Sequence, residues 1–153
     1  MTAKPCIFCE IRDQRAPAAL LYEDDEILAF MDIRPVRPAQ VLVVPRDHID
    51  HFCDLPDPLA TRIFLIGQRL ARVMRKRLQP QRVGMIVHGF GVAHAHLIVL
   101  PLEHPWDITA SQCSYVEDGA VKFRWENLPL SPYDQLQAMA DLLRADLVTA
   151  GSG

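Results

Sequence analysis

The chain has 153 residues, 50% hydrophobic and 23% charged, which suits one globular domain with a real core and excludes disorder by composition. Lys and Arg total 16 against 19 Asp and Glu, a net charge of −3. That excludes a generic polyanion binder, though not a nucleotide pocket, which needs only local positive potential. No apolar run reaches the ~18 residues of a membrane span. The first residues, MTAKPCIFCEIRDQR, hold an apolar stretch too short and too interrupted for a signal peptide. A cytoplasmic protein is expected, its four Cys serving as thiols or metal ligands rather than disulfides.

Leu20–Asp32 (LLYEDDEILAFMD) predicts two short strands around an acidic turn at Asp24–Asp25. Pro35 and Pro38 break the chain, and Val41–Val44 predicts a buried strand. Pro58–Leu78 predicts a helix, because Leu59, Ile63, Ile66, Leu70, Val73 and Met74 share one face. Asp57 can cap it, with Pro58 in its first turn, and Gln79–Pro80 stops it. The basic residues from Arg62 to Arg77 read as a solvated face rather than a phosphate-binding one, with Arg62, Arg69 and Lys76 on the far side. Val83–Val87 and His94–Leu100 predict two further strands, joined by His88-Gly89-Phe90-Gly91. Beyond Pro101 the pattern loosens. Tyr115–Val116 and Val121–Arg124 are expected to pair across Asp118–Gly119, a type I′ turn signal. Ser131–Leu147 predicts a second helix, with Ser131 as N-cap, Pro132 at its first position, and Leu136, Met139, Ala140, Leu143 and Leu147 on one face. Ala150–Gly153 reads as a frayed end. Neither a repeat nor a linker interrupts the pattern, so the expectation is one α+β domain, an antiparallel sheet with helices packed on it.

His94-Ala95-His96 is the sharpest chemical feature. In a strand, residues i and i+2 share a face, which sets the two imidazoles side by side among small and apolar neighbours. Each ring nitrogen there needs a partner, so a site is favoured over two structural histidines, and the spacing fits metal ligation or catalysis. Cys6-Ile7-Phe8-Cys9 is a C-x-x-C, weak alone. No preceding strand of a βαβ unit leads into it, which disfavours a thioredoxin-like pair and leaves buried structural thiols or metal ligands. Two Cys and two His complete a tetrahedral zinc site, with His94 and either His48 or its rival His51 as the second pair. Asp32, at a strand exit, can accept from a sugar diol or cap the following turn, and the residues alone favour the turn.

Together these residues resemble the histidine triad (HIT) family from about Pro5 to Pro101. The parts fall in the family order: C-I-F-C-x-I at Cys6–Ile11, Y-E-D-D at Tyr22–Asp25, A-F-x-D-I-x-P at Ala29–Pro35, L-V-V-P-R-x-H at Leu42–His48, and H-A-H-L-I-V-L-P at His94–Pro101. The resemblance implies a HIT-like fold: an antiparallel sheet of about five strands, one long central helix and a C-terminal helix. A HIT domain is expected over residues 5–105, with a variable extension over 106–150, hairpin plus helix, packed on it. The implied activity is nucleotide hydrolysis or nucleotidyl transfer at the α-phosphate of a nucleoside phosphoramidate, dinucleoside polyphosphate or related conjugate. The implied nucleophile is His96, through a nucleotidyl-histidine. A neutral imidazole suits this role near pH 7. The resemblance further implies ribose binding by Asp32, a purine pocket of Phe8, Ile11, Phe30 and Ile33, and nucleotide contacts at Gly91 and Val92. A structural zinc on Cys6, Cys9, His48 and His94 is implied, as is a homodimer through the long helix, where Phe64, Leu65 and Met74 widen the apolar face. Neither nucleic acid nor membrane is an expected partner.

The sequence departs from the family pattern in two places. Ile98 stands where the third triad His is expected, and Pro101 keeps the register. The loop His88–Gly91 is short, and Gly89-Phe90-Gly91 lacks the family's hydroxyl phosphate contact. One lost transition-state donor typically costs ~10²–10³ in rate, so slow turnover is expected unless His88 or His104 substitutes. The alternative is a catalytically weak nucleotide-binding or interaction protein that keeps the zinc. A catalytic zinc is a third reading, disfavoured because four protein ligands leave no open position.

Overall fold

Residues 5–109 and 111–149 are described by the computed structural model. Residues 1–4 and the expected frayed end, Ala150–Gly153, lie outside them. Five strands, β1 (Leu20–Glu23), β2 (Ile27–Met31), β3 (Val41–Pro45), β4 (Arg82–Ile86) and β5 (Leu97–Leu102), form an antiparallel sheet in the order β1-β2-β3-β5-β4. Alternation assigns the two faces. Ile27, Ala29, Met31, Val41, Val43, Leu97 and Val99 belong to the main core, whereas Leu28, Phe30, Leu42, Val44 and Ile98 pack with Phe8 on the other face. Both faces are covered, so every residue of β2 and β3 is buried. The expected acidic turn is closed by Asp24, whose Oδ1 accepts the N–H groups of Glu26 and Ile27 at 2.9 and 2.8 Å.

The helices are α1 (Ile7–Arg12), α2 (Asp57–Leu78) and α3 (Tyr133–Thr149). The six apolar positions expected to line α2 are all buried, together with Gly67. Its N-cap is Pro56, without a side-chain hydrogen bond, so Asp57 is not the cap but sits in the first turn, where its charge meets the helix N-terminus. Gln79, at φ 51, ends the helix in the left-handed region. Arg69 is exposed as expected, but Arg62 pairs with Asp24 and Glu26, and Lys76 with Asp146 at 2.9 Å. Met74 is fully buried and adds nothing to the outer face, whereas Phe64 and Leu65 stand 43% and 49% exposed. α3 begins two residues later than expected. The first helical bond runs from Leu136 N–H to Pro132 O at 3.1 Å, so Pro132 takes the cap position, and Ser131, whose N–H donates to Ile33 O at 2.9 Å, precedes the helix. Leu136, Ala140, Leu143 and Leu147 join the main core, and Asp146 locks α3 to Arg77 of α2 at 2.6 Å.

β6 (Ser114–Glu117) and β7 (Ala120–Phe123) pair as a separate hairpin. Asp118 and Gly119 have φ of 52° and 74°, the two positive values a type I′ turn requires. Two further elements differ from expectation. α1 was not foreseen, and β5 begins at Leu97 rather than His94, leaving His94–His96 irregular.

α2 crosses the sheet closely at Gly67, where an added Cβ would lie 2.6 Å from Leu97 Cδ2 and 2.9 Å from Met85 Cε. In an open helix Gly→Ala stabilises by ~1 kcal/mol. Here both atoms are side-chain ends, and Leu97 is fully buried in the main core, where a shift disturbs the side chains packed around it. Gly67→Ala is therefore expected to lower Tm, since overpacking costs ~1–3 kcal/mol, roughly 2–12 °C at this chain length. Thermal melts check this, and an unchanged or raised Tm counts against it.

Candidate functional site

Three segments converge beside the cleft face of the sheet. Cys6 and Cys9 come from the start and first turn of α1, His48 from the loop after β3, and His94 from the segment entering β5. Cys6 Sγ and Cys9 Sγ lie 3.4 and 3.8 Å from His94 Nδ1, and Cys9 Sγ lies 3.4 Å from His48 Nδ1. All four ligand atoms fall within 4.8 Å of one another. Zinc bonds of ~2.3 Å to sulfur and ~2.0–2.1 Å to nitrogen put tetrahedral S···N edges near ~3.6 Å, so this donor set fits a tetrahedral zinc. His94 Nε2–H donates to Pro45 O at 2.8 Å, which leaves the Nδ1 lone pair for the centre. Burial pushes the His94 pKa down and so favours this neutral ring. His51, the rival ligand, is outside the cluster, with its side chain 71% exposed. Burial, followed by the hydrogen bond to Cys6, raises the Cys9 thiol. A redox-active pair needs the opposite, a lowered thiol pKa.

His96 sits on the same face as His94 although the backbone here is not a regular strand. Ala95 and Leu97 point into the main core, and Ala95 N–H donates to Ile49 O at 2.7 Å. Both imidazoles meet Phe8 edge-on, at ring centroid distances of 5.5 and 5.6 Å. His96 Nδ1–H donates to His94 O at 2.7 Å, so the lone pair is on Nε2. Each histidine is thus held to a carbonyl through one nitrogen and keeps the other for chemistry.

His96 lines a cleft of about 580 Å³. Its lining includes Phe8, Ile11, Phe30, Ile33 and Ile98, together with Asp32, Gly91 and Val92. All the residues expected at a nucleotide site, the metal ligands aside, therefore line one cavity. Asp32 does serve the turn: Oδ1 accepts Arg34 N–H at 2.8 Å, and Oδ2 accepts from Gln40 Nε2 at 2.7 Å. Each oxygen keeps a second lone pair, so the turn role leaves acceptor capacity toward a diol.

Sequence reasoning missed the far wall. Trp125, Leu128, Leu130, Ser131, Tyr133 and Leu136 also line the cleft. They are drawn in by the segment after β2, where Arg34 Nη1 donates to the carbonyls of Glu126 and Leu128. Arg37 bridges to buried Asp107 at 2.8 Å, and its guanidinium holds that carboxyl down at about 2. His88 lines the cleft, whereas His104 is absent from the lining and stacks on Trp106 at 4.8 Å.

The HIT domain matches residues 13–104 of the sequence. Protein hit of Bacillus subtilis is 34% identical over 104 residues, 65% of this chain and 72% of that protein. Adenosine 5'-monophosphoramidase of Saccharomyces cerevisiae is 34% identical over 98 residues, 63% of this chain and 61% of that protein. The crystal structure of a Zn-bound histidine triad family protein from Mycobacterium smegmatis is 28% identical, with a TM-score of 0.71 over 97% of this chain and 96% of that one. Domain match, relatives and fold agree, and the chain belongs to the HIT family, whose members are nucleotide-binding hydrolases and transferases.

Proposed function

We propose that this chain is a nucleotide hydrolase or nucleotidyl transferase that forms a nucleotidyl-histidine at His96. The observation that carries the reading is an imidazole lone pair on Nε2, fixed by the bond from Nδ1 to His94 O, in a largely apolar cleft. His96 Nε2 attacks the α-phosphorus, the bond to the leaving group breaks, and that group departs with the electron pair. Water then attacks phosphorus, the P–N bond breaks, and the nucleoside monophosphate leaves with His96 restored. Phe8, Ile11, Phe30 and Ile33 seat a purine, Asp32 accepts from the ribose hydroxyls, and Gly91 and Val92 border the phosphate. The substrate class is a nucleoside phosphoramidate, dinucleoside polyphosphate or related conjugate. The phosphoramidase among the relatives favours the first.

Cys6, Cys9, His48 and His94 would hold a structural zinc, which supplies a rigid link between α1 and the backbone that carries His96. Residues 5–105 form the HIT domain in this reading, and 106–150 an extension that completes the cleft. The outer face of α2, with Phe64 and Leu65, is assigned to a homodimer. Intact mass after mixing with adenosine 5'-phosphoramidate tests the chemistry. One added AMP, absent in His96→Ala, supports it, and no adduct in either protein under conditions of turnover rejects it.

The second reading, a catalytically weak nucleotide binder, draws on Ile98. This residue packs with the Phe8 and Phe30 cluster and offers neither donor nor proton beside His96. A basic leaving group then departs without acid assistance. Ile98→His is expected to raise kcat by about 10²-fold or more on the phosphoramidate, the low end of general acid effects, and far less on adenosine 5'-(p-nitrophenyl phosphate). Steady-state rates on both substrates check this, and equal changes, or none, count against it.

A further inference from the structure

A phosphate in this cleft needs donors, and the lining offers few. Asp32 only accepts. Gln40 is engaged through both ends, with Nε2 on Asp32 and Oε1 accepting Val36 N–H at 3.0 Å. Arg34 is tied to the carbonyls of Glu126 and Leu128, and the Tyr133 hydroxyl reaches Ala18 O at 3.4 Å. Ser131 and Trp125 also bring donors to the lining, and His88 brings one from the segment that follows β4, the strand paired with β5. β4 pairs with β5 from Arg82↔Leu102 to Ile86↔Ile98. His88 lies two residues past Ile86 and His96 two residues before Ile98, so both flank the end of the ladder, outside its regular pairing. Both side chains line the same cleft.

The local backbone also selects the tautomer of His88. Gly89, at φ +80, turns the chain, and Phe90 N–H donates to His88 Nδ1 across a long 3.4 Å bond. Nδ1 is then the acceptor and Nε2 carries the hydrogen. The ring is held edge-on between Phe90 and Trp125, at centroid distances of 5.2 and 5.7 Å, and remains open to solvent and ligand.

We propose that His88 is a catalytic residue, donating its Nε2–H to a non-bridging oxygen of the transferred phosphoryl group and so replacing the charge stabilisation that Ile98 lacks. The proposal rests on His96 being the nucleophile. His88 does not protonate the leaving group. A ring with bare Nδ1 would become an imidazolate on losing its Nε2 proton, so the leaving group takes its proton from water. The structure thus separates two tasks: oxygen stabilisation is restored by His88, while acid assistance stays absent.

The test is steady-state hydrolysis of adenosine 5'-(p-nitrophenyl phosphate), whose leaving group needs no acid, with His88→Phe, His88→Gln and His104→Ala. Phe keeps the edge-on ring and removes the donor, whereas Gln keeps an amide N–H at the position of Nε2. His88→Phe is expected to lose ~10²–10³ in kcat with KM within about threefold. His88→Gln should recover at least tenfold of that, and His104→Ala should match wild type. Wild-type kcat in His88→Phe, or no recovery in His88→Gln, overturns the role of His88 alone. A wild type that neither turns over nor gains AMP overturns the His96 reading and this proposal with it.

Discussion

His96→Ala is expected to abolish AMP transfer to the protein and to lower kcat by on the order of 10⁴–10⁶, the scale seen when a covalent nucleophile is removed. The size follows from the absence of a substitute. His94 sends Nε2–H to Pro45 O and turns Nδ1 to the Cys6 and Cys9 thiols, so neither nitrogen is a lone pair in the cleft. His88 carries its hydrogen on Nε2, the nitrogen left by the bond from Phe90 N–H. Binding should change little, within about tenfold in Kd for AMP, because the purine and ribose contacts lie on Phe8, Ile11, Phe30, Ile33 and Asp32. Single-turnover kinetics and calorimetric titration with AMP separate the two effects. Hydrolysis at the wild-type rate in the variant would remove His96 from the mechanism, and a Kd weakened a hundredfold would move it into ground-state binding.

The parts of this architecture that were legible in the sequence are those with a period. Leu59 to Met74 repeat at helical spacing because one stripe of α2 covers the sheet, and Val41–Val44 is a continuous apolar run because both faces of β3 are covered. The type I′ turn was legible because Asp118-Gly119 tolerates two positive φ values. α1 was not, since its six residues are too few to show a period and its Cys pair reads as chemistry. The entry to β5 was misread for a related reason. His94, Ala95 and His96 alternate in facing as a strand does, yet the Ala95 N–H is bonded to Ile49 O, outside the ladder. Asp57 has the residue type of a cap, but Pro56 occupies that place. The far wall of the cleft left no local signal. Arg34 and Ile33 reach residues 126–131 through main-chain carbonyls and an amide, contacts that select no side-chain pattern at the distant end.

Removing zinc is expected to lower both Tm and nucleotide affinity, because α1 forms one wall of the cleft and the four proposed ligands tie it to the sheet. Phe8, 5% exposed, packs α1 against Phe30 at 5.3 Å, but the helix is only six residues long and its N-cap side chain makes no capping bond to the helix backbone. A helix that short does not persist unaided. Cys6, Cys9, His48 and His94 would add a covalent-strength link among three segments. With free zinc at ~1,000 times Kd, linkage gives about 4 kcal/mol, which at ~2–4 °C per kcal/mol for a chain this size corresponds to a fall of roughly 8–16 °C on stripping. Cys9→Ala should reproduce the fall and not recover on adding zinc, whereas His51→Ala, outside the cluster, should melt as wild type does. Because Phe8 and Ile11 ride on α1, AMP affinity should fall in parallel with Tm in the stripped protein. The checks are elemental analysis of protein purified without chelator, melts with and without chelator, and thiol alkylation in the native state. A zinc content near zero, with Cys6 and Cys9 alkylated as fast as exposed Cys53, would show that the four side chains converge without holding a metal.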